Sequence, residues 1–322
     1  MTRAGTGVGA RGRTHHLEGL HDHHTYSLEP RPGPARAEEM TPSPAEVESP
    51  GRGIEMDVPT MIAVSTVAWA LADVLHEIVG HGGAAALLGI PVRAVSTTTI
   101  FADWDQIQSM AEVRAIHASA TVLNLVTAAL ALLALRSPRV TSPASRYFLW
   151  VFATISLVIV TLNLVVGGDW SVVIEDMEPA GLWRAGVLAA GVLVAIVNHV
   201  LPVKLWLPDL RGRRRLQWKI TAIPVLVLLV VQTLSVLGSP FTAVPRDSGT
   251  NALVTSWALA LFFGVWLALV NLIPVPRSTA PVDSTRLPRS KAWLAVGLVV
   301  AVFFIVVLGP GLGPLEADPR LA

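Results

Sequence analysis

The sequence predicts an all-α fold: a polytopic transmembrane helical bundle of about seven spans. Three observations predict it. Of 322 residues, 52% are hydrophobic and only 15% are charged, against about 25% charged in a soluble domain. Apolar stretches of span length recur along the chain. Tryptophans gather at the ends of those stretches, where an aromatic belt is expected.

Residues 1–57 hold no apolar run and are rich in Gly, Pro, Glu and Arg. They are expected to be a disordered tail, with no signal-peptide pattern. His15, His16, His21, His23 and His24 fall within it. A solvated tail explains them better than a metal site, because nothing fixes their geometry. The spans follow at about 58–79, 115–135, 147–167, 185–203, 220–238, 252–274 and 292–309, each near the ~20 apolar residues that a bilayer requires. Trp150, Trp183, Trp206, Trp218 and Trp293 lie near their ends. The transmembrane domain is thus 58–309, and 310–322 is a C-terminal tail.

Between the first two spans, 91–112 is polar, and Val95-Ser-Thr-Thr-Thr-Ile100 has strand character. A short extracytoplasmic hairpin is expected there. Basic loops alternate with acidic ones. Arg136, Arg139 and Arg146 mark one loop, Arg211, Arg213, Arg214 and Arg215 another, and Arg277, Arg286, Arg289 and Lys291 a third. The intervening loop carries Asp169, Glu175, Asp176 and Glu178. The positive-inside rule places the basic loops and the N-terminus in the cytoplasm. The composition is that of a bacterial cytoplasmic-membrane protein in contact with lipid. The Arg211–Arg215 cluster is read as a topology determinant. A net charge of +1 provides no field to recruit nucleic acid. With no cysteine in the chain, disulfides, Cys-type zinc sites and thiol nucleophiles are excluded.

Chemistry concentrates in the first span, which contains Asp73, His76, Glu77 and His81. Ionisable groups inside an apolar helix are costly and mark function. Two imidazoles beside an acid suit a zinc ion with a hydrolytic water. The usual zinc-protease signature is H-E-x-x-H, with both histidines on one helical face. Here the spacing is His76-Glu77-x-x-x-His81. An i, i+5 pair lies about 140° apart on a regular helix. Two geometries remain open. A π-bulge near Gly80 would bring His76 and His81 to one face. A regular helix would instead align Asp73, Glu77 and His81 as ligands, with His76 behind them. A hydrogen-bonded cluster that only packs helices is the simpler alternative to either.

The stretch His76-Glu77-Ile-Val-Gly80-His81-Gly-Gly-Ala-Ala-Ala-Leu-Leu-Gly89-Ile-Pro-Val resembles the first core helix of the site-2 protease family of intramembrane zinc metalloproteases. It is closest to a divergent H-E-x-x-G-H-G branch. Ala118–Asn124 resembles the family's A-G-P-x-x-N helix, and Asn271-Leu-Ile-Pro274-Val-Pro276 its N-x-x-P-x-P. The L-D-G that follows in the family, with its acidic ligand, is replaced here by Arg277-Ser278-Thr279. The resemblance implies Zn²⁺ as cofactor and a membrane-protein or peptide substrate cut within or near the membrane. It implies His76 and His81 as ligands, Glu77 as the catalytic base and Asn124 as a hydrogen-bond donor to substrate, or else as glue between helices.

For the third ligand, Asp169 is the expected acid. It follows Gly167-Gly168, where the backbone can turn back into the protein, on the side and at the depth assigned to His76 and His81. Asp283 lies in a loop on the opposite side. His117 opens the second span from the same outer side, which makes it a further candidate, but it is read as a locally bonded helix-start residue. His199 is read as a packing residue. The alternative to a peptidase is a non-proteolytic membrane protein that keeps the motif as a metal-binding or structural site. A transporter fits less well, because most other spans lack charge.

Overall fold

The computed structural model describes residues 56–97, 99–206, 214–238, 246–270, 272 and 287–313. The tail at 1–55, Asp283, Arg211, Arg213, the Asn271 and Pro274–Pro276 motif and 314–322 lie outside the described residues. The fold is an all-α polytopic bundle. Helix α1 (Val58–Val74) runs without a break into a π-helical segment (Leu75–Gly82) and then α2 (Gly83–Leu87). A hairpin of β1 (Val92–Val95) and β2 (Ile100–Ala102) follows. Then come α3 (Met110–Arg136), α4 (Pro143–Val165), α5 (Gly168–Val173), α6 (Ala180–Trp206), α7 (Arg214–Gly238), α8 (Arg246–Val270) and α9 (Lys291–Val302), which ends in a π turn at Phe303–Leu308.

Six of these helical units are long and apolar enough to cross a membrane, where seven spans are expected from the sequence. The difference falls at 252–274. Within it α8 runs to Val270, and its described apolar part, Ala260–Leu269, is shorter than a full span.

Local chemistry sets the element boundaries. Asp57 caps α1, accepting from the Thr60 backbone N–H at 2.9 Å, and Pro59 follows where its missing N–H costs nothing. Ser109 and Glu112 form a reciprocal capping box that starts α3. The hairpin is antiparallel, with Val95 opposite Ile100. Arg93 clasps Asp103 across it at 2.7 Å. That hydrogen bond holds the Asp103 carboxyl below the usual carboxylate range, so the clasp persists at neutral pH and opens only in acid.

Helices α1 and α4 make up the middle of the bundle. Trp69, Met61, Tyr147, Trp150 and Ile155 are almost fully enclosed there. The α4 span is 72% buried and the α6 span 6%, so α6 is the helix turned outward to the bilayer. Buried Ser65 and Tyr147 pair across α1 and α4 at 3.3 Å, and the Tyr147 hydroxyl donates to the Ile220 carbonyl of α7 at 3.2 Å. Such bonds satisfy polar groups that the membrane interior cannot.

Candidate metal centre

The extra residue between the histidines is absorbed by the π-helical segment Leu75–Gly82. With i→i+5 bonding, His76 and His81 come onto one face. Their rings lie 5.0 Å apart, edge to face. The regular-helix alternative is therefore not the one adopted, and Asp73 and Glu77 lie outside the cluster that forms. Two neighbours stabilise the bulge. Helix α3 crosses directly over Gly80, where a Cβ would sit 2.5 Å from the Ala120 Cα. The Ser119 hydroxyl donates to the carbonyls of Ile116, at 2.6 Å, and Gly80, at 2.9 Å.

Gly80→Ala is therefore expected to push α3 away from the π segment. Overpacking of this kind costs about 1–3 kcal/mol. The check is a lowered thermal midpoint in detergent, together with weakened metal retention. Gly83→Ala, with open space around its Cβ position, should leave both unchanged.

Asp169 arrives from the other side of the site. The chain leaves α4 and turns at Gly167, whose φ of +113° favours glycine. Asn163 accepts from the Asp169 N–H at 3.0 Å. A Cβ at Gly168 would overlap the same Asn163 oxygen. So Asn163, Gly167 and Gly168 together aim Asp169 inward. The Nε2 of His76 lies 3.3 Å from Asp169 Oδ2, and the Nε2 of His81 lies 3.4 Å from Oδ1. His76, His81 and Asp169 each offer a ligand atom, all within 4.8 Å of one another. Zinc bonds of about 2.0–2.1 Å at tetrahedral angles separate ligand atoms by about 3.3 Å, so the three groups are near enough to hold a zinc ion after a small closure.

The proton pattern also suits a cation. His81 Nδ1 lies 2.9 Å from the Ile116 carbonyl, which can only accept, so Nδ1 carries hydrogen. In the neutral ring, Nε2 then turns a lone pair towards a carboxylate. Two acceptors in that position need either a proton on Nε2 or a metal ion between them. The Asn124 amide lies 3.2 Å from His76 Nδ1, and its Oδ1 is buried without a partner. The two ends of an amide are isosteric. With Oδ1 turned to His76, Nδ1 carries hydrogen and Nε2 is free to bind metal, as in His81. Asp169 Oδ2 is likewise buried, with His76 Nε2 the group that meets it.

The sequence-predicted residues are placed as follows. His76, His81 and Asp169 meet. Asn124 touches His76 rather than an open space. Glu77 is half-buried beside His76, and no hydrogen bond or ion pair engages its carboxylate among the described residues. His199 stacks edge-on against Trp266. His117 is not locally bonded; it reaches Asp169 at 3.1 Å. Its position at the same end of α3 as the cluster is the one signal that pointed to it. Asn163 and Ser119 carried no such signal.

These features define a polytopic membrane protein with an enclosed His–His–Asp cluster at a helical bulge. Compared with family models, curated proteins and solved structures, the chain matches none of them.

Proposed function

We propose that the protein is a membrane-embedded zinc metallopeptidase, similar in mechanism to the site-2 protease family, that hydrolyses a peptide bond within or near the bacterial cytoplasmic membrane. The observation that carries this reading is the convergence of His76 and His81, through a π-bulge, on the buried carboxylate of Asp169. In this reading His76, His81 and Asp169 hold the ion. The chemistry that zinc supplies when bound is Lewis acidity and a water acidic enough to act as a nucleophile near neutral pH. Glu77 takes a proton from the attacking water as its oxygen adds to the scissile carbonyl. It then passes that proton to the amine as the C–N bond breaks. Asn124 orients His76, the group it touches. The N-terminus lies in the cytoplasm, and the substrate is a membrane protein or peptide.

A second reading keeps the metal and drops the catalysis. It is favoured by the enclosure of Asp169 among three imidazoles, which suits a structural centre. One experiment separates the two. The detergent-purified protein is analysed for zinc beside His76→Ala and His81→Ala, then incubated with membrane-spanning peptides with and without chelator. About one zinc per chain, lost in both variants, with chelator-sensitive cleavage, supports the peptidase. Zinc without cleavage supports the structural centre. A metal-free wild type rejects both. Because the ligands must be deprotonated, zinc retention should also fall as the solution is made acidic.

A further inference from the structure

Each group of the candidate centre has a second contact, and all three of those contacts come from α3. The carbonyl of Ile116 takes the Nδ1 hydrogen of His81 at 2.9 Å. The amide of Asn124 meets His76 Nδ1 at 3.2 Å. His117 Nδ1 meets Oδ1 of Asp169 at 3.1 Å. His117 and Asn124 are seven residues apart, two turns, so they share one face of α3. Between them Ala120 sits against Gly80.

His117 differs from the three proposed ligands. It is not part of the group whose donor atoms lie within 4.8 Å of one another. Its ring is half-buried and lies parallel to the exposed Trp104, with centroids 6.1 Å apart and planes 12° apart. His81 approaches the same ring edge-on at 5.7 Å. The ring thus meets two aromatic groups, with Nδ1 turned to the carboxylate. Oδ1 of Asp169 takes this contact and also faces His81 Nε2 at 3.4 Å, whereas Oδ2 is buried and meets His76 Nε2 at 3.3 Å.

We propose that His117 is a positioning residue for the metal centre: by donating Nδ1–H to one oxygen of Asp169, it commits that carboxylate to hold the ion through the other. The proposal rests on the zinc reading above. A carboxylate bound through one oxygen uses one coordination position. With His76 and His81 it leaves the fourth open. A ligand fixed from behind also loses less freedom on binding, which is why removal of such a partner typically weakens metal affinity 10–100-fold.

The test is zinc affinity of the full-length protein in detergent, measured by competition with a chromogenic chelator, for wild type, His117→Ala, His117→Asn and His117→Gln. The Asn amide nitrogen can take the place of Nδ1, and the longer Gln places its nitrogen nearer Nε2. His117→Ala and His117→Gln are expected to weaken zinc by about 10–100-fold, and His117→Asn to bind within a few-fold of wild type. Cobalt(II) substituted into wild type and His117→Asn should give the same visible spectrum. If His117→Ala fails to fold, the contrast between Asn and Gln decides. Wild-type affinity in His117→Ala, or equal weakening in Asn and Gln, overturns the role of His117 and leaves the zinc reading standing. A wild type that takes up no zinc overturns both.

Discussion

Glu77→Gln is expected to keep the metal and abolish turnover. The substitution preserves size and one oxygen but removes the carboxylate that accepts a proton. Glu77 is adjacent to His76, half-buried, and free of any hydrogen bond or ion pair among the described residues. An acid with no structural partner can be neutralised without breaking the bundle. General-base catalysis typically contributes 10²–10⁴-fold, so cleavage of a membrane peptide should fall by about that factor. Zinc per chain should not change. Loss of zinc in Glu77→Gln would make Glu77 a ligand and remove the basis for the peptidase reading.

Asp169→Ala is expected to release the metal as completely as His81→Ala does. Among the described residues its carboxylate is the only acid in the cluster, and both imidazoles point at it through Nε2. Removal of a ligand should cost more than the ~10–100-fold typical of a supporting contact. Asp283→Ala serves as the control and should retain metal. Zinc retained in Asp169→Ala would leave two histidines as the whole protein contribution and would sink the three-ligand centre.

Much of this arrangement is legible in the sequence because its elements are local. The i, i+5 spacing of His76 and His81 leaves a regular helix unable to present both, and Gly80 marks where the helix yields. The span pattern comes from hydropathy alone. Gly167-Gly168 before Asp169 announces a turn that can redirect an acid. A hairpin is expected between the first two spans, but the run at 95–100 given strand character mostly links the strands, which lie at Val92–Val95 and Ile100–Ala102. What is not legible depends on distant packing. The pairing of His117 with Asp169 joins residues 52 apart, and nothing near His117 encodes it. The grip of Asn163 on the Asp169 backbone requires knowing how the turn closes. Asn124 is assigned to substrate by resemblance, but its contact with His76 arises from how α3 crosses the π segment at Gly80.

The π segment also has a consequence for what lies beyond it. In a continuous α-helix, one additional residue turns everything downstream by about 100° and advances it by about 1.5 Å. Wider coils at Leu75–Gly82 take up that residue instead. Val79, nearly half exposed on the outer side, is where the surplus length can bulge. Helix α2 and the hairpin therefore leave the segment in the same rotational phase as in a chain one residue shorter. Such a chain would read His-Glu-x-x-His, the spacing that a regular helix presents on one face. The bulge works as a vernier: it decouples the count of residues along the chain from the angle at which the next element is delivered. Ile100 still packs near Gly82, and Ile116 still offers its carbonyl to His81.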